Sequence, residues 1–188
     1  MKPTALQEMI LRYEPFDVQE REDRRMMLSY IELFDNILCR ENEIAHFTAS
    51  SWIVNPDRSR VLMAFHNIYK SWAWTGGHAD GDQDLLRVAL REAREETGLE
   101  KIRPLAERPS SLEIIPVDPH FRKGRFVPAH LHLNLTYILE ADDSCPTRVK
   151  PDENTAVTWF YRDEAVEKSS EPEMKSIYRK LIGRSLLI

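Results

Sequence analysis

Cysteine is scarce in this 188-residue chain. Cys39 and Cys145 stand far apart with no close-spaced Cys/His partners, which argues against a disulfide framework or an ordinary structural zinc site and fits a reducing, cytoplasmic setting. Long apolar runs are also missing. The stretch MKPTALQEMILRYEP interrupts its apolar positions with Gln7, Glu8 and Arg12, so it does not read as a signal peptide, and no later run is long enough to span a bilayer. Nor is there an excess of positive charge. A net charge of -5 and a pI of ≈ 5.7 speak against general attachment to nucleic acid or anionic lipid, and no basic arm or helix-turn-helix is evident. A phosphate-bearing ligand would therefore have to meet a local basic patch or a bound cation. Repeats and low-complexity segments are absent, and with 42% hydrophobic and 30% charged residues the chain suits one compact domain with a short extension.

The extension is residues 1–40. Leu6, Met9, Ile10 and Tyr13 recur at helical spacing until Pro15 interrupts them; Met27, Tyr30, Ile31, Phe34, Ile37 and Leu38 then continue the period. Such a stripe docks on the main domain or on a second copy of the chain, so a homodimer is one expectation. Residues 41–188 form the main domain. HFTASSWIVN and RVLMAFHNIY are β-rich runs joined by a turn at Asn55-Pro56-Asp57, and strands are also expected at 111–117, 129–141 and 155–161. Helices are expected from Asp84 to Thr97, closed by Gly98, and over 163–168 and 172–182. The alternation implies an α/β layer structure with a mixed sheet.

The helix at 84–97 carries the chemistry. Glu92, Glu95 and Glu96, spaced i, i+3 and i+4, share one arc of about 100°. Leu85, Val88 and Ala89 continue that arc upstream, whereas a solvated face would stay polar along its length. Carboxylates so placed repel unless a cation lies among them, and Mg²⁺ takes oxygen ligands. Before the helix, Gly76-Gly77 permit a turn or a close approach, and Asp80, Asp82 and Asp84 follow, the last two suited to capping.

Gly77 to Leu99 resembles the Nudix box: glycine, five residues, glutamate, seven residues, then Arg-Glu-apolar-any-Glu-Glu-any-Gly-apolar. Arg91-Glu92-Ala93-Arg94-Glu95-Glu96-Thr97-Gly98-Leu99 closes it at the required distance, with Gln83 in place of the first glutamate. The resemblance implies an α/β/α sandwich and Mg²⁺- or Mn²⁺-dependent hydrolysis of a nucleoside diphosphate linked to another group. By the same resemblance, Glu92 and Glu96 would bind metal, Glu95 would bind metal or position water, and Arg91 would orient the glutamates. The Gly76 carbonyl would be a further ligand. Glu153, or its neighbour Asp152, would supply a further acid ahead of the aromatic pair Trp159-Phe160.

Candidate substrate-binding residues lie elsewhere. Arg122, Lys123 and Arg125 sit beside Phe121 and Phe126, offering cations for phosphate and rings for a base. His130, His132, Asn134 and Thr136 share one strand face, as polar cleft lining or, for the His-x-His pair, as metal ligands lacking a third partner by spacing. Trp72 and Trp74 lie on a common face and could stack a base or pack the core. Two other functions stay open: a Nudix-fold sensor that binds a nucleotide-like ligand without turnover, and an isopentenyl-diphosphate isomerase-like protein. The latter needs a catalytic cysteine that Cys39 and Cys145 are badly placed to supply.

Overall fold

The computed structural model describes residues 3–122 and 124–188, with no description of the Arg122 side chain. Two helices open the chain, α1 (Thr4–Arg12) and α2 (Val18–Leu33), followed by strands β1 (Ala45–Val54), β2 (Arg60–His66), β3 (Ser71–Ala73) and β4 (Thr75–His78). Helix α3 (Leu85–Thr97) precedes β5 (Ile102–Pro104), β6 (Ser111–Val117), β7 (His120–Arg122), β8 (Arg125–Val127), β9 (His130–Ala141) and β10 (Asn154–Tyr161), and α4 (Arg162–Lys168) and α5 (Pro172–Ser185) end the chain. The central path of the sheet runs β10-β2-β1-β9-β5, with β3, β4 and β6 pairing onto β2, β1 and β9. It is mixed, because β1 and β9 run parallel through ten paired positions whereas the other pairings are antiparallel.

Strand β1 is buried throughout and organises both layers. Phe47, Ala49 and Ile53 enter the larger core with α1, α2 and α3, while Trp52 and Val54 join the smaller one with Ala165, Met174, Tyr178 and Leu181 of α4 and α5. Two-residue alternation thus makes an α/β/α sandwich. On the Trp52 side the strand starts polar, with His46, Thr48 and Ser50. Thr48 and Ser50 hydroxyls donate to Asn134 Oδ1 of β9 at 3.0 and 2.8 Å. A polar floor is thereby built into the centre of the sheet.

The N-terminal helices are part of this fold. Ile10, Met27 and Ile31 are fully buried against the main domain, so the stripe is consumed within the chain. Helix α2 stops at Leu33, and Ile37 and Leu38 reach the core from a turn rather than from a continued helix. The run from Phe65 to Gly77 is likewise no single strand: β2 ends at His66, a turn intervenes with Lys70 at φ 51°, and β3 and β4 pair with different neighbours.

The extension is fastened by buried ion pairs. Glu20, fully buried, accepts from Tyr13 Oη and Phe16 N–H at 2.8 Å and from Ser111 Oγ at 3.0 Å, and it pairs with Lys180 at 2.8 Å and Arg184 at 2.9 Å. Lys180 also reaches Glu113 at 2.8 Å, so α2, β6 and α5 meet around one cluster. Burial alone would raise the Glu20 pKa, but the hydrogen bonds from Arg184, Lys180 and Phe16 outweigh it and bring it down to about 2.

Candidate active site

Helix α3 is pinned at both ends. Asp84 caps it by accepting from Arg87 N–H at 3.0 Å, and Gly98, at φ 71° in the left-handed region, ends it by donating to Arg94 O. Its buried stripe of Leu85, Val88, Ala89 and Ala93 continues into Glu96, only 3% exposed. Core packing therefore aims Glu96 inward.

Carboxylate oxygens of Glu92, Glu96 and Glu153 all lie within 4.8 Å of one another. Gly76 N–H donates to Glu96 Oε1 at 2.8 Å. The adjacent glycine leaves room for Glu92: a Cβ on Gly77 would stand 2.4 Å from Glu92 Cδ, so the Glu92 side chain would have to shift. A Cβ on Gly76 would lie 2.7 Å from the Ala49 carbonyl. Both glycines lie in β4 itself, where close approach to the β1 backbone, rather than a turn, requires Gly76, and Gly77 makes room for the Glu92 side chain. Glu153 arrives from the start of β10, where the buried Asn154 donates to the Glu96 carbonyl at 3.1 Å.

Charge in this cluster is incompletely compensated. Burial pushes the Glu96 carboxyl up to about 8; the Gly76 N–H opposes it, and the neighbouring Glu153 and Glu92 add to it. The donor set is all oxygen and fits a hard divalent cation. Glu95 is exposed, pairing with Lys150 at 2.8 Å, and Arg91 bonds Glu92 at 2.9 Å. Lys150 also reaches Glu153 at 3.1 Å, which links Glu95 to the cluster; a lone lysine in a proline-flanked loop offers no motif by which to find it.

The remaining box acids are engaged in local structure. Asp80, at φ 48°, pairs with Arg40 across the chain, and Asp82 accepts from Arg87 at 2.9 and 2.7 Å. Gln83 is exposed just before α3, outside the residues lining the adjoining cleft.

That cleft has a volume of about 1340 Å³ and contains the carboxylate cluster. Arg125, His130 and His132 line it, as do Asp152, Lys150 and Trp74. Trp72 instead meets Phe65 and Phe160 edge-on, in the packing around the smaller core. Arg122 is the last residue of β7, its side chain and Lys123 lie outside the described residues, and Arg125 lines the cleft. Phe121 and Phe126 form an edge-on pair on the exposed hairpin β7–β8, where a loop is the sequence expectation. Three imidazoles meet on the floor. His46, His130 and His132 offer nitrogens within 4.8 Å of one another, and burial foremost lowers the pKa of both His46 and His132.

The NUDIX domain family model matches residues 45–181. This chain belongs to that family. It is a Nudix-type pyrophosphohydrolase; hydrolases of this family generally use divalent cations and act on small nucleotide-linked substrates. Solved structures agree on the fold. A C. elegans Ap4A hydrolase in a binary complex is 16% identical with a TM-score of 0.54, covering 76% of this chain and 98% of its own. The M. smegmatis Nudix hydrolase RenU is 17% identical with a TM-score of 0.55, covering 76% and 87%. The E. coli dihydroneopterin triphosphate pyrophosphohydrolase is 14% identical with a TM-score of 0.54, covering 72% and 94%. No curated protein sequence matches this chain. Among the described residues, no helix is long and apolar enough to cross a membrane, and neither cysteine lines the cleft.

Proposed function

We propose that this Nudix hydrolase cleaves the diphosphate bond of a nucleoside diphosphate linked to another moiety, of the nucleotide-sugar, ADP-ribose or nucleoside triphosphate type, with Mg²⁺ or Mn²⁺. The carrying observation is the convergence of Glu92, Glu96 and Glu153 within 4.8 Å at one end of a large cleft. These three carboxylates are the proposed metal ligands, with the Gly76 carbonyl as a further oxygen donor. When bound, the cation draws electron density from phosphate oxygens and lowers the pKa of coordinated water.

The chain's own groups supply the rest. Gly76 N–H fixes one Glu96 oxygen and leaves the other to face its neighbours. Arg91 holds Glu92 in place through its 2.9 Å contact. Glu95, exposed and carrying Lys150, is positioned to accept a proton from water or to orient it; Glu153 shares the same lysine. The cleft exceeds the usual small-ligand range of about 300–1,000 Å³, which suits a substrate of two parts. Arg125 is the proposed direct contact to it, His130 and His132 form the wall beside it, and Arg122 and Lys123 are further candidate cations from the sequence. Trp74 takes the stacking position in preference to Trp72, because it lines the cleft.

The test is a phosphate-release screen with Mg²⁺ or Mn²⁺ over nucleoside triphosphates, nucleotide sugars, ADP-ribose, dinucleoside polyphosphates and coenzyme A. Product from the wild type and none from Glu96→Gln supports the proposal. Ligand-induced shifts in melting temperature without turnover of any compound would overturn it in favour of a sensor.

A further inference from the structure

We propose that His46, His130 and His132 form a second metal site in the same cleft, built for a divalent transition metal of the zinc class and separate from the carboxylate cluster. The pairing of β1 with β9 creates it. These strands run parallel with His46 opposite His132, and His130 lies two residues away on the same face of β9. A His-x-His pair that lacks a third ligand along the chain thereby acquires one across the sheet.

Two of the rings are already oriented. His46 Nδ1 bonds the Asn42 carbonyl at 2.9 Å, and His130 Nδ1 bonds the Pro128 carbonyl at 2.9 Å. A backbone carbonyl accepts and cannot donate, so each Nδ1 carries a proton, and in the neutral ring the lone pair then belongs to Nε2. Metal-binding histidines are held in this way by the partner of their other nitrogen.

The free lone pair of His46 is the independent observation. His46 is 3% exposed, and its buried Nε2 has no hydrogen-bond partner among the described residues. Buried ring nitrogens ordinarily find a donor, an acceptor or an ion. Nearby, His130 Nε2 and His132 Nε2 stand 3.2 Å apart, sharing a hydrogen bond whose place a metal would take. Two ligands of a tetrahedral ion with bonds of about 2.0–2.1 Å lie about 3.3 Å apart. All three histidines have ring nitrogens within 4.8 Å of one another, leaving a short closure for His46.

Ligand chemistry separates the two sites. Neutral imidazoles suit zinc, copper, nickel or iron, whereas oxygen donors suit magnesium or manganese. Strand β4 spans both: Gly77 lies against Glu92, and the next residue, His78, brings its ring to 5.1 Å from that of His46 and 4.9 Å from that of His132. A zinc-class ion here adds positive charge to the cleft floor without using any of the three clustered carboxylates.

The decisive measurement is Co²⁺ titration of the full chain in excess Mg²⁺, followed by visible absorption, with Zn²⁺ stoichiometry from equilibrium dialysis. The expected result is one equivalent of Co²⁺ with ligand-field bands, displaced by Zn²⁺. Separate His130→Gln and His132→Asn variants should each weaken binding by about a hundredfold or more. Glu96→Gln should bind Co²⁺ as the wild type does, which separates this site from the hydrolytic one. His46→Asn should also lose the bands; if burial prevents that variant from folding, His130→Gln at the cleft wall decides. No stoichiometric Co²⁺, full binding in both β9 variants, or loss in Glu96→Gln would each overturn the proposal, whether or not any substrate is hydrolysed.

Discussion

Two clusters of buried acid stand in this molecule, and they are neutralised in opposite ways. Around Glu20 and Glu113 the chain supplies Lys180 and Arg184 in direct contact. Around Glu96 it supplies Glu92 and Glu153, with Lys150 on Glu153 and Arg91 on Glu92 but, among the described residues, no cation bonded to Glu96 itself. Glu20 is brought down to about 2, whereas burial carries Glu113 up in spite of Lys180 and Ser111, and carries Glu96, which has no such partner among the described residues, up to about 8. A buried carboxylate next to a fixed cation serves the fold; one packed among other carboxylates is prepared for a cation that comes from outside.

The largest expected effect comes from breaking the open cluster. Glu96→Gln should cut turnover by about a thousandfold, about 4 kcal/mol of barrier, with little change in the unfolding midpoint. Breaking the closed cluster should do the reverse. Lys180→Met strands Glu113 and leaves Glu20 with Arg184 as its cation, and should cost about 3 kcal/mol in urea denaturation, while each folded molecule keeps its turnover. Equal damage to catalysis by both variants would erase the distinction.

Acid and base should then separate the clusters without mutation. Glu20 is held below its ordinary value, so its contribution to stability is present above about pH 4.5 and is lost as pH falls toward 2. Glu96 is held above, so in metal-free protein its contribution is present at low pH and is lost as pH rises from about 4.5 through about 8. Melting curves in EDTA should show this second decline as about 5 °C, equivalent to about 2 kcal/mol at this chain length. Mg²⁺, which favours the ionised carboxylate, should remove the share of that decline that belongs to Glu96, as should Glu96→Gln, leaving the share of the likewise raised Glu113.

Smaller effects test the surroundings of the open cluster. Gly77→Ala places a methyl group 2.4 Å from Glu92 Cδ, and should raise the Mg²⁺ concentration for half-activity about tenfold, near 1.4 kcal/mol. Gln83→Glu should change turnover by less than about threefold, under 1 kcal/mol, because the position is exposed and outside the cleft lining. A hundredfold gain would show that a fourth acid reaches the cation after all.

Much of this was legible along the chain because local periods carry it. The apolar arc of α3 running into Glu96, the Gly98 cap and the alternating faces of β9 follow from 3.6- and 2-residue repeats. The end of α2 was not legible: the apolar period runs on through Ile37 and Leu38, but tertiary packing recruits them from a turn. Trp72 and Trp74 share a nominal face, yet the chain passes from β3 to β4 between them and sends them to different neighbours. Lys150, Glu20 and Lys180 have no motif at all, since their partners lie 55, 164 and 67 residues away in contacts such as Glu95–Lys150, Glu20–Arg184 and Glu113–Lys180.

The sequence by itself determined the box, the helix that presents its glutamates and the layered α/β character, because each rests on spacing within a few turns or one strand. Tertiary structure alone decided which acids converge, which are neutralised by the chain and which histidines meet. Those outcomes depend on strand register and on contacts between distant segments: β1 beside β9 brings His46 to His132, and the start of β10 brings Glu153 to α3. Electrostatics follows those distances through space, whatever the separation along the chain.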